Sequence, residues 1–184
     1  MKRKIACFFP LLVFSLLLLG QSKRTKKTRS PGDNVSAGIS INFPIGNFSS
    51  SHTIGPGLDV SPASHQFGLM GFKKIAFAYN GGVAYYFGKE VRTIDFSYKY
   101  PGFTFIHTYA GLLYTPLKKL SATLLAGPAL GIYKKDTRFN IGARLEGSYY
   151  IRKTNIAAGP LLNMMWETGA DPLWSAGIKM RMDL

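Results

Sequence analysis

"RFNIGARLEGSYYIRK", residues 138–153, sets two opposite full charges, Arg144 and Glu146, in the middle of a run whose every second residue is apolar or small. Side chains of an extended chain alternate between two faces. With that period, Phe139, Ile141, Ala143, Leu145, Gly147 and Tyr149 share one face. Arg138, Asn140, Gly142, Arg144, Glu146, Ser148 and Tyr150 share the other. One side suits oil, and the other carries charges that need a polar setting.

The same alternation recurs along the chain. Residues 34–44 set Val35, Ala37, Ile39, Ile41 and Phe43 against Ser36, Gly38, Ser40 and Asn42. Residues 52–61 set Ile54, Pro56, Leu58 and Val60 against Thr53, Gly55, Gly57, Asp59 and Ser61. In 73–88, Ile75, Phe77, Tyr79, Val83, Tyr85 and Phe87 oppose alanines, Asn80 and Gly82. In 174–184, Trp174, Ala176, Ile178, Met180, Met182 and Leu184 oppose Ser175, Gly177, Lys179, Arg181 and Asp183. After residue 22 no segment sustains a 3.6-residue apolar pattern, so the chain reads as all-β.

The polar face separates a soluble sheet from another environment. A sheet face in bulk water is typically rich in Lys, Glu and Thr, whereas this one is rich in Gly, Ala and Ser with sparse charges of both signs. Small residues suit a cramped interior. An eight-stranded barrel has a lumen just wide enough for its side chains to fill, and a barrel in lipid turns its apolar residues outward and its polar ones inward. The runs are 10 to 15 residues long, against the ~5–6 usual in soluble sheets and the ~9–11 tilted residues that cross a bilayer. Aromatics near run ends, such as Tyr85-Tyr86-Phe87, Tyr98 with Tyr100, Tyr149-Tyr150, Trp166 and Trp174, suit girdles at the two water interfaces.

The N-terminus reads as an address. Lys2, Arg3 and Lys4 precede an apolar run from Ile5 to Leu19, followed by the small residues Gly20 and Ser22, which is the layout of a cleaved secretory signal peptide over 1–22. The run is too short for a spanning helix, which needs ~20 apolar residues. Removing those 22 of 184 residues leaves 162, a length for one domain. The single cysteine, Cys7, leaves with the signal and has no lipidation-type small-residue box before it. A thiol-free mature chain excludes a disulfide scaffold and Cys-based chemistry.

Losing Lys2, Arg3 and Lys4 takes the formal net charge from +14 to +11. Such basicity raises the question of nucleic acid, but the charge is not laid out for it. Five positives fall in residues 23–34, "KRTKKTRSPGDN", expected to be a basic flexible tail. Most others pair at expected turns: Lys73-Lys74, Lys118-Lys119, Lys134-Lys135 and Arg152-Lys153. Basic turn tips keep strand ends soluble and also suit the phosphates of a membrane surface.

The expected fold is an eight-stranded antiparallel up-and-down transmembrane β-barrel over 35–184, with strands at 35–44, 52–61, 73–87, 103–115, 120–133, 137–150, 154–166 and 173–184. Residues 91–102 then form a protruding loop hairpin. Turns at 62–72, 116–119 and 151–153 face the periplasm, and loops at 45–51, 88–102, 134–136 and 167–172 face outside. The alternative has ten strands, splitting 73–87 at the hairpin dipeptide Asn80-Gly81 and promoting 91–100.

On these residues a resemblance can be stated. "INFPIGNFSSSHTIGPGLDVS", "GGVAYYFGKE", "AGPALGIYKKDTRFNIGARLEGSYYI" and "GADPLWSAGIKMRMDL" resemble the small outer-membrane β-barrel domain proteins of Bacteroidota, similar in build to OmpA/OmpX-type barrels. The resemblance spans essentially the whole mature chain. It implies the cell outer membrane as location, with lipopolysaccharide and the barrel-assembly machinery as partners and no cofactor. Barrels of that kind usually end in an aromatic residue, and this chain ends in the apolar, in-register Leu184.

Candidate sites are few. His52, His65 and His107 are far apart in sequence and have no carboxylate at short spacing, so neither a metal set nor a catalytic triad is expected, and each histidine reads as structural. No Walker-type glycine loop is present. The residues singled out are Asp59, Arg144, Glu146, Lys179, Arg181 and Asp183, expected on inward faces as a lumen charge network centred on Arg144 and Glu146, because charges in a water-poor interior must be paired. The expected function is a non-enzymatic outer-membrane barrel, envelope-structural or surface-binding. The alternatives are a lipid-modifying enzyme that uses His107 with a neighbouring hydroxyl, and a soluble lipocalin-like carrier with an apolar lumen. Eight strands argue against an open pore.

Overall fold

The computed structural model describes residues 35–62, 74–94, 96–134, 136–151, 154–166 and 171–184. The expected signal peptide (1–22), the basic tail (23–34), His65 and most of the 62–72 turn lie outside them. The elements are β1 (Ser36–Ile45), α1 (Phe48–Ser51), β2 (Gly55–Ser61), β3 (Ile75–Tyr86), β4 (Glu90–Arg92), β5 (Ser97–Lys99), β6 (Phe103–Leu117), β7 (Leu120–Tyr133), β8 (Asp136–Tyr150), β9 (Ile156–Trp166) and β10 (Leu173–Asp183).

Eight strands form a closed barrel in the order β1-β10-β9-β8-β7-β6-β3-β2. Closure comes from β1, which pairs antiparallel with β10 from Ser36↔Asp183 to Ile45↔Trp174 and with β2 on its other side. No barrel strand is left with an open edge, so backbone donors and acceptors are satisfied around the ring. One end of the barrel holds Ser36 and Asp183 and is called the terminal end. The other is the loop end, where the separate β4–β5 ribbon stands between β3 and β6.

The ten-strand alternative fails at Asn80-Gly81. β3 runs straight through that dipeptide, paired to β6 from Ile75↔Tyr114 to Tyr86↔Phe103. An isolated Asn-Gly promotes a turn only where the chain has a return strand to make, and here β6 offers one continuous partner. Strand ends also differ slightly from expectation: β2 begins at Gly55 rather than 52, and β6 continues to Leu117 through an irregularity between Tyr114 and Leu117.

Polarity across the wall is inverted relative to a soluble protein. Leu145 and Ile178 on the outside are 50% and 64% exposed, whereas Arg144 and Lys179 inside are 3% and 6% exposed. Tyr85, Phe87, Phe139, Trp166 and Trp174 face out towards the loop end, and Tyr114 and Tyr149 face out towards the terminal end. The aromatic run at 85–87 divides between the faces: Tyr85 and Phe87 point outward and Tyr86 is buried in the lumen. Tyr98 and Tyr100 belong to the loop ribbon, their rings edge to face at 5.0 Å.

Two glycines are dictated by space and backbone. Gly46 takes φ +59° at the entry to α1, a left-handed conformation that other residues adopt only at a cost. Gly142 lies under the Tyr109 ring, and a Cβ there would overlap the tyrosine hydroxyl.

Candidate functional site

Among the described residues, buried polar chemistry from many strands gathers in the lumen, and it is layered. At the loop end, α1 turns Phe48 into the barrel mouth. The Phe48 ring packs edge-on against Tyr86 (4.9 Å) and Phe103 (5.8 Å) and lies 4.8 Å from His52. Phe105, Ala84, Ala129 and Met165 continue this apolar layer below it. The plug is held down by Lys89, whose Nζ donates to the Ser49 carbonyl (2.5 Å), and by Asn47, whose Nδ2 donates to Asp171 (2.9 Å). Burial beside these rings pushes the His52 imidazole below the ordinary histidine range, opposed only in part by the Pro101 carbonyl.

The middle layer is ionic. Arg144 Nη1 donates to Asp59 Oδ1 (2.8 Å), Asn80 Oδ1 (3.1 Å) and Glu146 Oε1 (3.3 Å), and its Nε donates to Asn163 Oδ1 (2.5 Å). Lys179 Nζ donates to Glu146 Oε1 (2.9 Å) and lies 3.5 Å from Asp59 Oδ2. His107 Nε2 faces two acceptors, Asp59 Oδ1 (3.1 Å) and Asn80 Oδ1 (2.9 Å), so that nitrogen carries the proton. Asn163 Nδ2 then donates to Asn42 Oδ1 (3.2 Å), and Asn42 donates to the Gly55 carbonyl (3.0 Å). Two carboxylates oppose two cations here, so the layer is neutral, which is the condition for holding full charges out of bulk water.

Why these strands deliver these groups follows from side-chain parity. Asp59, Asn80, Arg144, Glu146 and Lys179 each occupy the small-residue face of an alternating run. β7 supplies no charge; its inward Leu125 and Ala129 are buried and leave room for the Tyr109, His107 and Phe105 rings of β6.

Of the six residues singled out from sequence, Asp59, Arg144, Glu146 and Lys179 come together in this layer. Arg181 and Asp183 lie nearer the terminal end. Arg181 donates to the Tyr150 hydroxyl (2.5 Å) with its guanidinium 5.2 Å over the ring, and Asp183 stands beside the same hydroxyl. Both line a small recess at the terminal end whose wall includes Glu146 and Thr123. Sequence reasoning did not assign His107, Asn163, Asn42 or Tyr109 to the network. Asn42 sits on a polar face already recognised, so parity could have found it. His107 could not be found that way, because β6 points Phe103, Phe105 and Tyr109 inward beside it, and the alternation in that strand carries no polarity.

Among the described residues no group of three His, Cys, Asp or Glu side chains is arranged to hold a metal ion. His107 Nδ1 has no hydrogen-bond partner among them.

No family model matches the chain, and no curated protein sequence matches it. Solved structures do. The N-terminal β-barrel domain of Pseudomonas aeruginosa OprF matches with a TM-score of 0.50 at 12% identity, covering 83% of this chain and 98% of that one. The Yersinia pestis outer membrane protein Ail, in a phospholipid bilayer nanodisc, matches with a TM-score of 0.48 at 12% identity over 80% of this chain and 99% of that one. Neisserial surface protein A matches with a TM-score of 0.47 at 14% identity over 85% of this chain and all of the other. The small closed barrel of eight antiparallel strands is the fold that this chain has in common with the OprF domain.

Proposed function

We propose that this protein is an exported outer-membrane β-barrel that works without catalysis, through a sealed body and a loop-end surface serving envelope structure or binding at the cell surface. The observation that carries the reading is the inverted wall: a continuous exposed apolar band outside, with Arg144, Glu146, Lys179 and Asp59 buried inside. In water such a band would aggregate, whereas in a bilayer it is the solvated face. The signal-like residues 1–22 agree with export.

The filled lumen disfavours the competing readings. Phe48 and its neighbours close the loop end, and the ion cluster fills the middle. A steady pore therefore has no path, and a carrier has no room for an apolar cargo. A lipid-modifying enzyme needs its base beside a reachable nucleophile, and His107 is buried between Phe105 and Tyr109. The surface itself is supplied by the β4–β5 ribbon, which exposes Ile94 and Phe96 at its tip. Lipopolysaccharide around the wall and the barrel-assembly machinery at its strands are the partners this address entails.

Fractionation tests the reading. The mature chain is expected in the outer-membrane fraction, with heat-modifiable mobility on gels and no steady conductance in planar bilayers. Recovery in the soluble periplasm would overturn it, and a stable open-channel current would refute the sealed lumen.

A further inference from the structure

The two ends of the barrel differ in charge pattern. At the loop end the signs are mixed: Arg92 pairs with Glu90 at 2.8 Å, Lys99 pairs across the ribbon with Glu90, and Asp171 takes a bond from Asn47. At the terminal end, the connections 62–74, 116–119 and 151–155 hold Lys73, Lys74, Lys118, Lys119, Arg152 and Lys153 and no Asp or Glu. Lys74, Lys118 and Lys119 are exposed.

The described residues of these connections form one arc. Thr115 N donates to the Lys74 carbonyl (2.9 Å), Lys74 Nζ donates to the Pro116 carbonyl (3.2 Å), and Tyr150 N donates to the Lys119 carbonyl (2.8 Å). Lys74, Lys118 and Lys119 therefore sit together along the rim of β3, β6, β7 and β8, while the acid Asp183 of the same end lies away from them on β10. Just inside it the outer wall exposes Tyr114, Leu117, Leu120 and Tyr149. A lysine in that position lays its aliphatic stem along apolar surface and sets its ammonium at headgroup level. Rim lysines that served only solubility would be as well served by mixed charges, as at the loop end. A one-sign arc seated directly on an apolar band instead matches a sheet of anions lying at a fixed depth.

We propose that this arc binds the anionic headgroups of glycerophospholipids, such as phosphatidylglycerol, in the leaflet on the terminal side. The proposal rests on the reading that the barrel spans a membrane. The interaction is between exposed charges, so it engages several lipids at once and weakens with salt, the screening length being about 10 Å at 0.1 M.

The test inserts the full mature chain into phosphatidylcholine nanodiscs with and without phosphatidylglycerol and counts, by mass spectrometry, the phosphatidylglycerol retained per barrel. Lys74→Gln/Lys118→Gln/Lys119→Gln is compared with the loop-end control Arg92→Gln/Lys99→Gln/Lys134→Gln, each checked for heat-modifiable folding. Retention by the parent is expected to fall about threefold or more in the arc variant, to fall likewise in high salt, and to persist in the control. Insertion without phosphatidylglycerol enrichment, enrichment unchanged by the arc variant, equal loss in the control, or a preference for lipid A that depends on the same lysines would each overturn the arc while leaving the membrane reading standing. Failure to insert into either membrane would defeat both.

Discussion

Replacing Arg144 by Met tests the lumen most directly. The guanidinium is buried and holds Asp59, Glu146, Asn80 and Asn163 together. Its loss turns a neutral layer of two acids and two cations into one with an excess negative charge. Removing one partner of a buried ion pair costs about 3–5 kcal/mol. Lys179 remains within 2.9 Å of Glu146 and 3.5 Å of Asp59, so Arg144→Met is expected near the lower end, about 3 kcal/mol. The assay is urea unfolding in lipid vesicles, followed by fluorescence of Trp166 and Trp174, the two tryptophans of the chain, both on the outer wall. The double variant Arg144→Met/Glu146→Gln restores neutrality and is expected to be about 1–3 kcal/mol more stable than the two single losses added together. A single-variant cost under about 1 kcal/mol, or strict additivity in the double, would show that water screens the layer and that the pairs are not coupled.

Three further outcomes are expected. Leu145→Arg or Ile178→Arg should destabilise the bilayer-inserted state by about 2–4 kcal/mol if these positions lie near the midplane, whereas Arg tolerated equally at Leu145 and Ser148 in the same unfolding assay would contradict the assignment of faces. Gly142→Ala should cost about 1–3 kcal/mol by forcing the Tyr109 ring to move; a near-neutral midpoint shift would mean that the ring is loosely held. For His52, whose folded value lies below its ordinary 6.5, the unfolded loop binds the proton more readily, so local stability is full above about pH 6.5 and is lost as pH falls through the folded value. Hydrogen-exchange protection factors of residues 48–52, taken relative to the intrinsic rate at each pH, should therefore fall on acidification, and a His52→Phe variant should abolish that fall.

Parity was legible in the sequence because it is local. Consecutive strand residues point to opposite sides whatever the rest of the chain does, so the runs at 35–44, 52–61 and 137–150 could be divided into two faces before any partner was known. The strand ends were legible where glycine, proline or paired lysines interrupt the alternation. At Asn80-Gly81 a local turn signal competed with twelve residues of pairing along β6, and the pairing prevailed.

What faced what inside the barrel depended on register and closure. Asp59 and Arg144 are 85 positions apart and meet only because β2 and β8 lie across a narrow ring. The inward aromatic face of β6 defeats the polar-in pattern. A lumen must be filled by volume as well as neutralised, and the small inward residues of β7 leave that volume to Phe105, His107 and Tyr109. Phe48 entered the mouth from a loop that periodicity could not describe. Sequence alone determined that this chain alternates, how long its strands are and which side holds the charges. The tertiary structure decided which charges pair, that His107 joins them and that the loop end is plugged, because each of these depends on side chains brought together across the barrel.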